Sequence, residues 1–203
     1  MRIIVPRKPA TSMLRVSRQA LLAVGLLTLS CCVLVVVDAW VFQAEENRDF
    51  DRQLQAQKQA SLQKDKLPLA LLSTRGLVGR IQIPRLGLEA IVMEGTSKTT
   101  LRRAVGHISG TALPGETGNV GISGHRDTFF RPLRNIRQND IITLTTLSGE
   151  FRYRVVSTKI VPPVAIAVLD STQQEILTLV TCYPFYFLGS APDRFIVRAE
   201  RVS

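Results

Sequence analysis

Ala20 to Val37 (ALLAVGLLTLSCCVLVVV) is a run of eighteen residues without a charge, which sets it apart from any small globular core. Continued past Asp38 into Ala39-Trp40-Val41-Phe42, it reaches the roughly 20 residues that cross a bilayer as a helix. Trp40 stands where an interfacial aromatic belongs. Arg2, Arg7, Lys8, Arg15 and Arg18 precede the run, and no acid occurs before Asp38. Asp38, Glu45, Glu46, Asp49 and Asp51 follow it, so the N-terminus is expected in the cytoplasm and the bulk of the chain outside. A cleaved signal peptide has an apolar core of about 7 to 15 residues and a small-x-small site, neither of which matches. Cys31 and Cys32 read as small apolar residues within the span, since Thr28-Leu29-Ser30 is a poor lipidation box. With no second apolar span before Ser203, a single anchor is expected.

The 203-residue chain carries a formal net charge of +10, half of it in those five N-terminal cations. That half is membrane topology. Without stacking aromatics or a recognition-helix pattern, the remainder does not point to nucleic acid. Gln43 to Arg75 is rich in Gln, Lys, Asp, Glu and Arg, with six acids against six cations from Asp38 onward. Gln53 to Lys66 has good helix propensity, and Pro68 closes the segment, which reads as a solvated stalk. The expected organisation is a basic cytoplasmic tail (1–18), a transmembrane helix (19–42), a polar stalk (43–75) and one domain (76–203).

From Gly76 the texture changes to short β-like runs separated by Gly, Pro and Ser. Leu77 to Ile83, Leu88 to Met93, Asn119 to Ser123, Ile141 to Thr145, Phe151 to Ser157, Ile176 to Thr181 and Phe195 to Glu200 read as strands, with a hairpin at Ser148-Gly149. Thr99 to Val105 and Phe129 to Asn135 have room for a helical turn or two, and Pro162-Pro163 breaks or bends the sixth strand. The pattern predicts an all-β fold with short helices, as an antiparallel barrel or sandwich rather than a parallel α/β sheet. No phosphate-binding glycine loop is present. Two histidines without paired cysteines do not suggest zinc.

Outside the membrane run there is one cysteine, Cys182. An exported domain with a single thiol holds an inert residue, an intermolecular bridge or a reactive group. Cys182 ends its apolar run instead of sitting within it, and Tyr183-Pro184 stops the strand directly afterwards. His125 and Arg194 occupy equivalent strand-end positions. A free thiol has a pKa of about 8.5, and a neighbouring imidazole or guanidinium favours the thiolate. His125 can move a proton to a leaving amine, and Arg194 can donate to a developing oxyanion. Together these are the parts of a cysteine acyl-transfer site. Thr181 is expected near the reacting carbonyl. Arg126 and Asp127 either orient the histidine or its loop, or form a surface ion pair. His107 is expected to fill a loop.

Ile122-Ser123-Gly124-His125-Arg126-Asp127, Thr178-Leu179-Val180-Thr181-Cys182 and Arg194-Phe195-Ile196-Val197 together resemble the sortases, membrane-anchored cysteine transpeptidases of bacterial surfaces. Arg80-Ile81-Gln82-Ile83-Pro84 is similar to the family's first strand, and Gly110 to Val120 to its loop into the histidine strand. Gly-His-Arg-Asp-Thr-Phe-Phe-Arg at 124–131 looks most like class D. The resemblance implies an eight-stranded β-barrel preceded by one transmembrane helix. It casts Cys182 as nucleophile, His125 as general acid/base, Arg194 as oxyanion or substrate stabiliser and Thr181 as a substrate contact. The implied reaction cleaves an LPxTG-like C-terminal sorting signal of a surface protein through a thioacyl enzyme, then transfers the protein to an amine acceptor such as a cell-wall precursor, at the outside of the cytoplasmic membrane. No cofactor is assigned. Calcium occurs in some relatives, and Glu116, Asp140 and Asp170 are scattered candidates that define no site here. Asp38-Ala39-Trp40 is only superficially like the lid of pilin-polymerising members, because it lies at the membrane edge. An L,D-transpeptidase would need Ser/Thr-x-Gly-Cys-x-Arg, which Val180-Thr181-Cys182-Tyr183 contradicts. A non-catalytic membrane-tethered β-domain that binds peptide or wall polymer would need neither thiol nor imidazole.

Overall fold

Strict alternation along Leu77–Ile83 sends Ile81 and Ile83 inward and Arg80 and Gln82 outward, and strands of this kind close into a barrel. The computed structural model describes residues 10–62, 76–187 and 189–202. The end of the expected stalk, including Pro68, lies outside these, as do residues 1–9. The chain divides into two compact units, Met1–Trp40 and Val41–Ser203.

Helix α1 spans Ala10–Leu62. In the first unit its apolar side chains are exposed, Leu21, Leu26, Leu27 and Leu34 among them, as suits a helix whose solvent is lipid. Its most apolar window has a mean hydropathy of 2.8, in the range of membrane spans.

In the second unit the strands are β1 (Leu77–Ile83), β2 (Leu88–Glu94), β3 (Val105–His107), β4 (Gly118–Ser123), β5 (Ile141–Thr146), β6 (Gly149–Val161), β7 (Glu175–Tyr183) and β8 (Asp193–Val202), with helix α2 at Lys98–Arg103. They form a closed barrel in the order β1-β2-β3-β4-β7-β8-β6-β5. Two pairs, β2 with β3 and β4 with β7, are parallel and the rest antiparallel. The barrel is therefore mixed, where the pattern of runs suggested purely antiparallel pairing. Its interior is filled by inward residues such as Ile81, Val92, Ile122, Leu179 and Val197, each worth about 1.5–3 kcal/mol when fully buried.

The unrecognised strand is β3. His107 sits on it and is buried, so it does not fill a loop. Its Nδ1 faces Glu94 Oε2 at 2.7 Å and its Nε2 lies 3.0 Å from the Ala112 carbonyl. Both ring nitrogens are thus spent on holding β2 and the 108–112 loop together. The hairpin turn is Leu147-Ser148, one residue before the expected place, with Gly149 opening β6 opposite Thr146.

The segment read as a solvated stalk is partly docked. Glu46 and Phe50 are buried, and Gln43, Asn47, Gln53, Leu54 and Gln57 are half-buried on the same helical face. Gln43 accepts from the Ile91 N–H at 2.9 Å and donates to the Arg103 carbonyl at 2.7 Å. Arg80, on the outer face of β1, lies over the Phe50 ring and donates to Asp51 at 3.0 Å. These contacts are mostly polar, which is why composition read as solvation.

Candidate active site

In β7, Leu177, Leu179 and Thr181 point into the barrel, so Cys182 points out, half-buried, one residue from the strand end. Arg194 is its direct antiparallel partner on β8. Opposed residues share a face with their Cβ atoms about 5 Å apart. On the other side of β7 runs β4, in parallel register up to Ser123 opposite Val180. The Gly124 N–H then donates to the Val180 carbonyl at 3.1 Å, and the Thr181 hydroxyl donates to the Gly124 carbonyl at 2.8 Å. Ser123, two residues before His125, is thus level with Val180, two residues before Cys182. His125 is exposed, and its carbonyl accepts the Phe130 N–H at 3.1 Å, closing its turn. A Cβ on Gly124 would meet the Phe130 ring at 2.7 Å, so only glycine lets that turn fold back.

Thr181 is buried and its hydroxyl is already spent on Gly124. Its side chain joins the histidine turn to the cysteine strand. Arg194 is half-buried, and its Nη1 donates to the carbonyls of Asp193 at 2.9 Å and Ala191 at 3.3 Å. Tyr183, Phe185 and Phe195 pack as an aromatic cluster, with Phe185 and Phe195 rings 5.2 Å apart, beneath the loop that leaves the cysteine.

Arg126 is no surface residue: it is 6 % exposed. Its Nη1 donates to the Pro184 carbonyl at 2.6 Å and its Nη2 to the Phe187 carbonyl at 2.9 Å, while Nε and Nη2 also reach the Asp127 carboxylate. The hydrogen bonds to Asp127, together with the charges of Asp127 and of Cys182 as thiolate, hold the guanidinium even more firmly protonated than usual. Asp127 is correspondingly held below the usual carboxylate range, first by the Arg126 hydrogen bond and then by the charges of Arg126, Arg131 and His125. Of the scattered acids, Asp140 is bonded to Arg85 and Glu116 accepts the Leu113 N–H.

Further along the same strands, the outer face of β6, β7 and β8 forms a cavity of about 330 Å³ lined by Ser157, Lys159, Thr178, Ile196 and Arg198, with Ala167 and Val168 along one wall. Val180 pairs with Ile196 and Thr178 with Arg198, so the floor recedes from Cys182 and Arg194 in steps of two residues, about 7 Å each. The wall is tied down by Asn119, whose Nδ2 donates to the Val168 carbonyl at 3.0 Å and whose Oδ1 accepts from Thr178 at 2.7 Å. Neither Asn119 nor the buried role of Arg126 was read from the sequence. A polar residue at the head of an apolar strand was the available signal for the first.

A family model described as the sortase domain matches residues 81–202, more than half of the chain. The chain belongs to the sortase family. Sortase D of Bacillus subtilis is 39% identical over 127 residues, 62% of this chain and 64% of that protein, so the match spans less than two thirds of the relative. Among solved structures, a Clostridium perfringens sortase D5 transpeptidase has a TM-score of 0.60 at 27% identity, covering 77% of this chain and 99% of that one. Sortase C2 of group B Streptococcus pilus island 1 has a TM-score of 0.59 at 29% identity, covering 63% of this chain and 75% of that one. The expected likeness to class D agrees with the Bacillus subtilis and Clostridium perfringens relatives, and the fold is shared with a sortase C. Sortases are cysteine transpeptidases associated with membranes, and this sortase carries one apolar N-terminal helix long enough to span one.

Proposed function

We propose that this sortase cleaves an LPxTG-like sorting signal and transfers the acyl part to an amine, with Cys182, His125 and Arg194 as its machinery. The observation that carries this reading is the direct pairing of Cys182 with Arg194 on the outer face, with the turn of His125 bonded to the same strand. The Cys182 thiolate attacks the carbonyl carbon of the Thr-Gly bond, and the oxyanion that develops is met by N–H groups of Arg194. His125 as imidazolium protonates the departing glycine amine, leaving a thioester. An incoming amine loses a proton to His125, attacks the thioester, and expels Cys182 as thiolate while a new amide bond forms. The residues before the scissile bond lie extended along the Thr178, Ile196 and Arg198 groove. The substrates are surface proteins with C-terminal sorting signals, and the acceptor is an amine of a cell-wall precursor. Residues 1–18 stay in the cytoplasm, residues 19–42 cross the cytoplasmic membrane, and the barrel works outside it.

The test is incubation of the full chain in detergent with a panel of LPxTG-like peptides, followed by intact-mass measurement. The expected result is an adduct on Cys182 equal to the peptide lacking its part after threonine. No adduct from any peptide, with a thiol that also resists alkylation, would leave a non-catalytic peptide-binding barrel.

A further inference from the structure

We propose that Arg126 is the positioning residue of this site, its buried guanidinium tying the turn that carries His125 to the loop that leaves Cys182. The inference rests on the transpeptidase reading above. Arg126 directly follows His125, so wherever its guanidinium is pinned, the imidazole's backbone is pinned one residue away. The other ends of its hydrogen bonds are the carbonyls of Pro184 and Phe187, two and five residues after Cys182.

The loop's other holds are side-chain contacts, Phe185 against Tyr183 and Phe195 and the Arg134 guanidinium 5.7 Å from the Tyr186 ring. Tyr186 is 79% exposed and Phe187 is 42% exposed, while Phe185, directly before them, is buried. A charge-assisted bond to a carbonyl is stronger than a neutral one, and Arg126 supplies two from one rigid plane. Its third side faces Asp127, whose side chain is 59% exposed. The cation is therefore neutralised at the water edge while its other donors reach inward. Lysine retains the charge but has no planar fork, and it cannot span two carbonyls and a carboxylate together. Misplacement of reacting groups by about 1 Å costs on the order of 100-fold in rate, and that is the effect expected when the tie is lost.

The full chain in detergent is compared with Arg126→Lys and Arg126→Met, following Cys182 acylation by a peptide that acylates the parent protein. Both variants are expected to lose about 100-fold in acylation rate at saturating peptide, with the half-saturating concentration changed by less than about threefold, because the Thr178, Ile196 and Arg198 groove is untouched. A merely structural role predicts instead a loss in proportion to the unfolded fraction, measured by thermal melting. Arg126→Lys keeps the buried cation and its ion pair with Asp127, so it decides the matter even if Arg126→Met fails to fold. A parent-like rate in Arg126→Lys, or a loss carried by the half-saturating concentration, overturns the proposal. A parent protein that acylates no peptide overturns the transpeptidase reading and this inference with it, before any variant is compared.

Discussion

The outward faces of β1–β2 and of β7–β8 belong to one barrel and are built by the same alternation, but they end differently. On β1–β2 the outward Arg80 and the Ile91 N–H are covered by residues 43–54 of α1, with Phe50 fully buried. On β7–β8 the outward Cys182 and Arg194 stay partly open, beside an exposed His125. An outward strand residue that needs a partner can find one in the chain, as Ile91 does through Gln43. Where the chain leaves a thiol, a guanidinium and an imidazole uncovered at neighbouring strand ends, the partner is left to come from outside. The covered face is closed by packing, and the open one is where the proposed chemistry would take place.

Substitutions can break that division, and the largest effect is expected on the open face. Cys182→Ala should abolish thioacyl formation in the intact-mass experiment while leaving the melting curve in place, since a half-buried strand-end residue contributes little packing. Turnover by a folded Cys182→Ala protein would remove the nucleophile assignment. Arg194→Lys should cost about 100-fold or more in acylation rate with an unchanged melt, because a retained charge does not replace the fork of donors. A near-parent rate would make Arg194 a bystander.

On the covered face the readouts exchange places. Phe50→Ala removes a fully buried ring and should destabilise the second unit by about 3 kcal/mol in denaturant titration, with the acylation rate of the folded fraction unchanged. Loss of rate without loss of stability would join the two faces functionally. The smallest effect concerns Asp127, whose folded pKa is lowered by Arg126. A depressed carboxylate contributes stability above its unfolded pKa of about 3.9 and loses it as pH falls through the lower folded value. Asp127→Asn should therefore be slightly less stable than the parent at neutral pH, with the gap closing toward acid. Exposure of this carboxylate to solvent keeps the gap small. A gap that widened toward acid would reverse the sign of the Arg126–Asp127 coupling.

The strands that hold the site were legible because each is a local pattern. Ile176 to Thr181 and Phe195 to Glu200 alternate or run apolar over enough residues to declare themselves. β3 did not, since Val105-Gly106-His107 is three residues with a glycine at the centre, and it is a strand only because β2 and β4 lie on either side. Residues 43–57 did not declare their docking, because the buried and half-buried stripe is Gln43, Glu46, Asn47, Phe50, Gln53, Leu54 and Gln57, mostly polar. Glutamine and asparagine become interface residues only when a barrel offers them an unpaired N–H and a carbonyl. Arg126 was visible as a neighbour of His125, but whether it faced water or the interior depended on a loop almost sixty residues later folding back over it.

By itself, the sequence determined the apolar helix, the strand-forming segments and which reactive side chains stand at their ends, all of which follow from residue types within a few positions of one another. Tertiary structure alone decided that Cys182 stands opposite Arg194, that β4 runs parallel to β7 and delivers the His125 turn to the cysteine strand, and that Arg126 is buried under the carbonyls of Pro184 and Phe187. Those outcomes depend on register around a closed barrel. A shift of one residue in β8 would turn Arg194 into the core, and local sequence preferences do not encode which strands become neighbours.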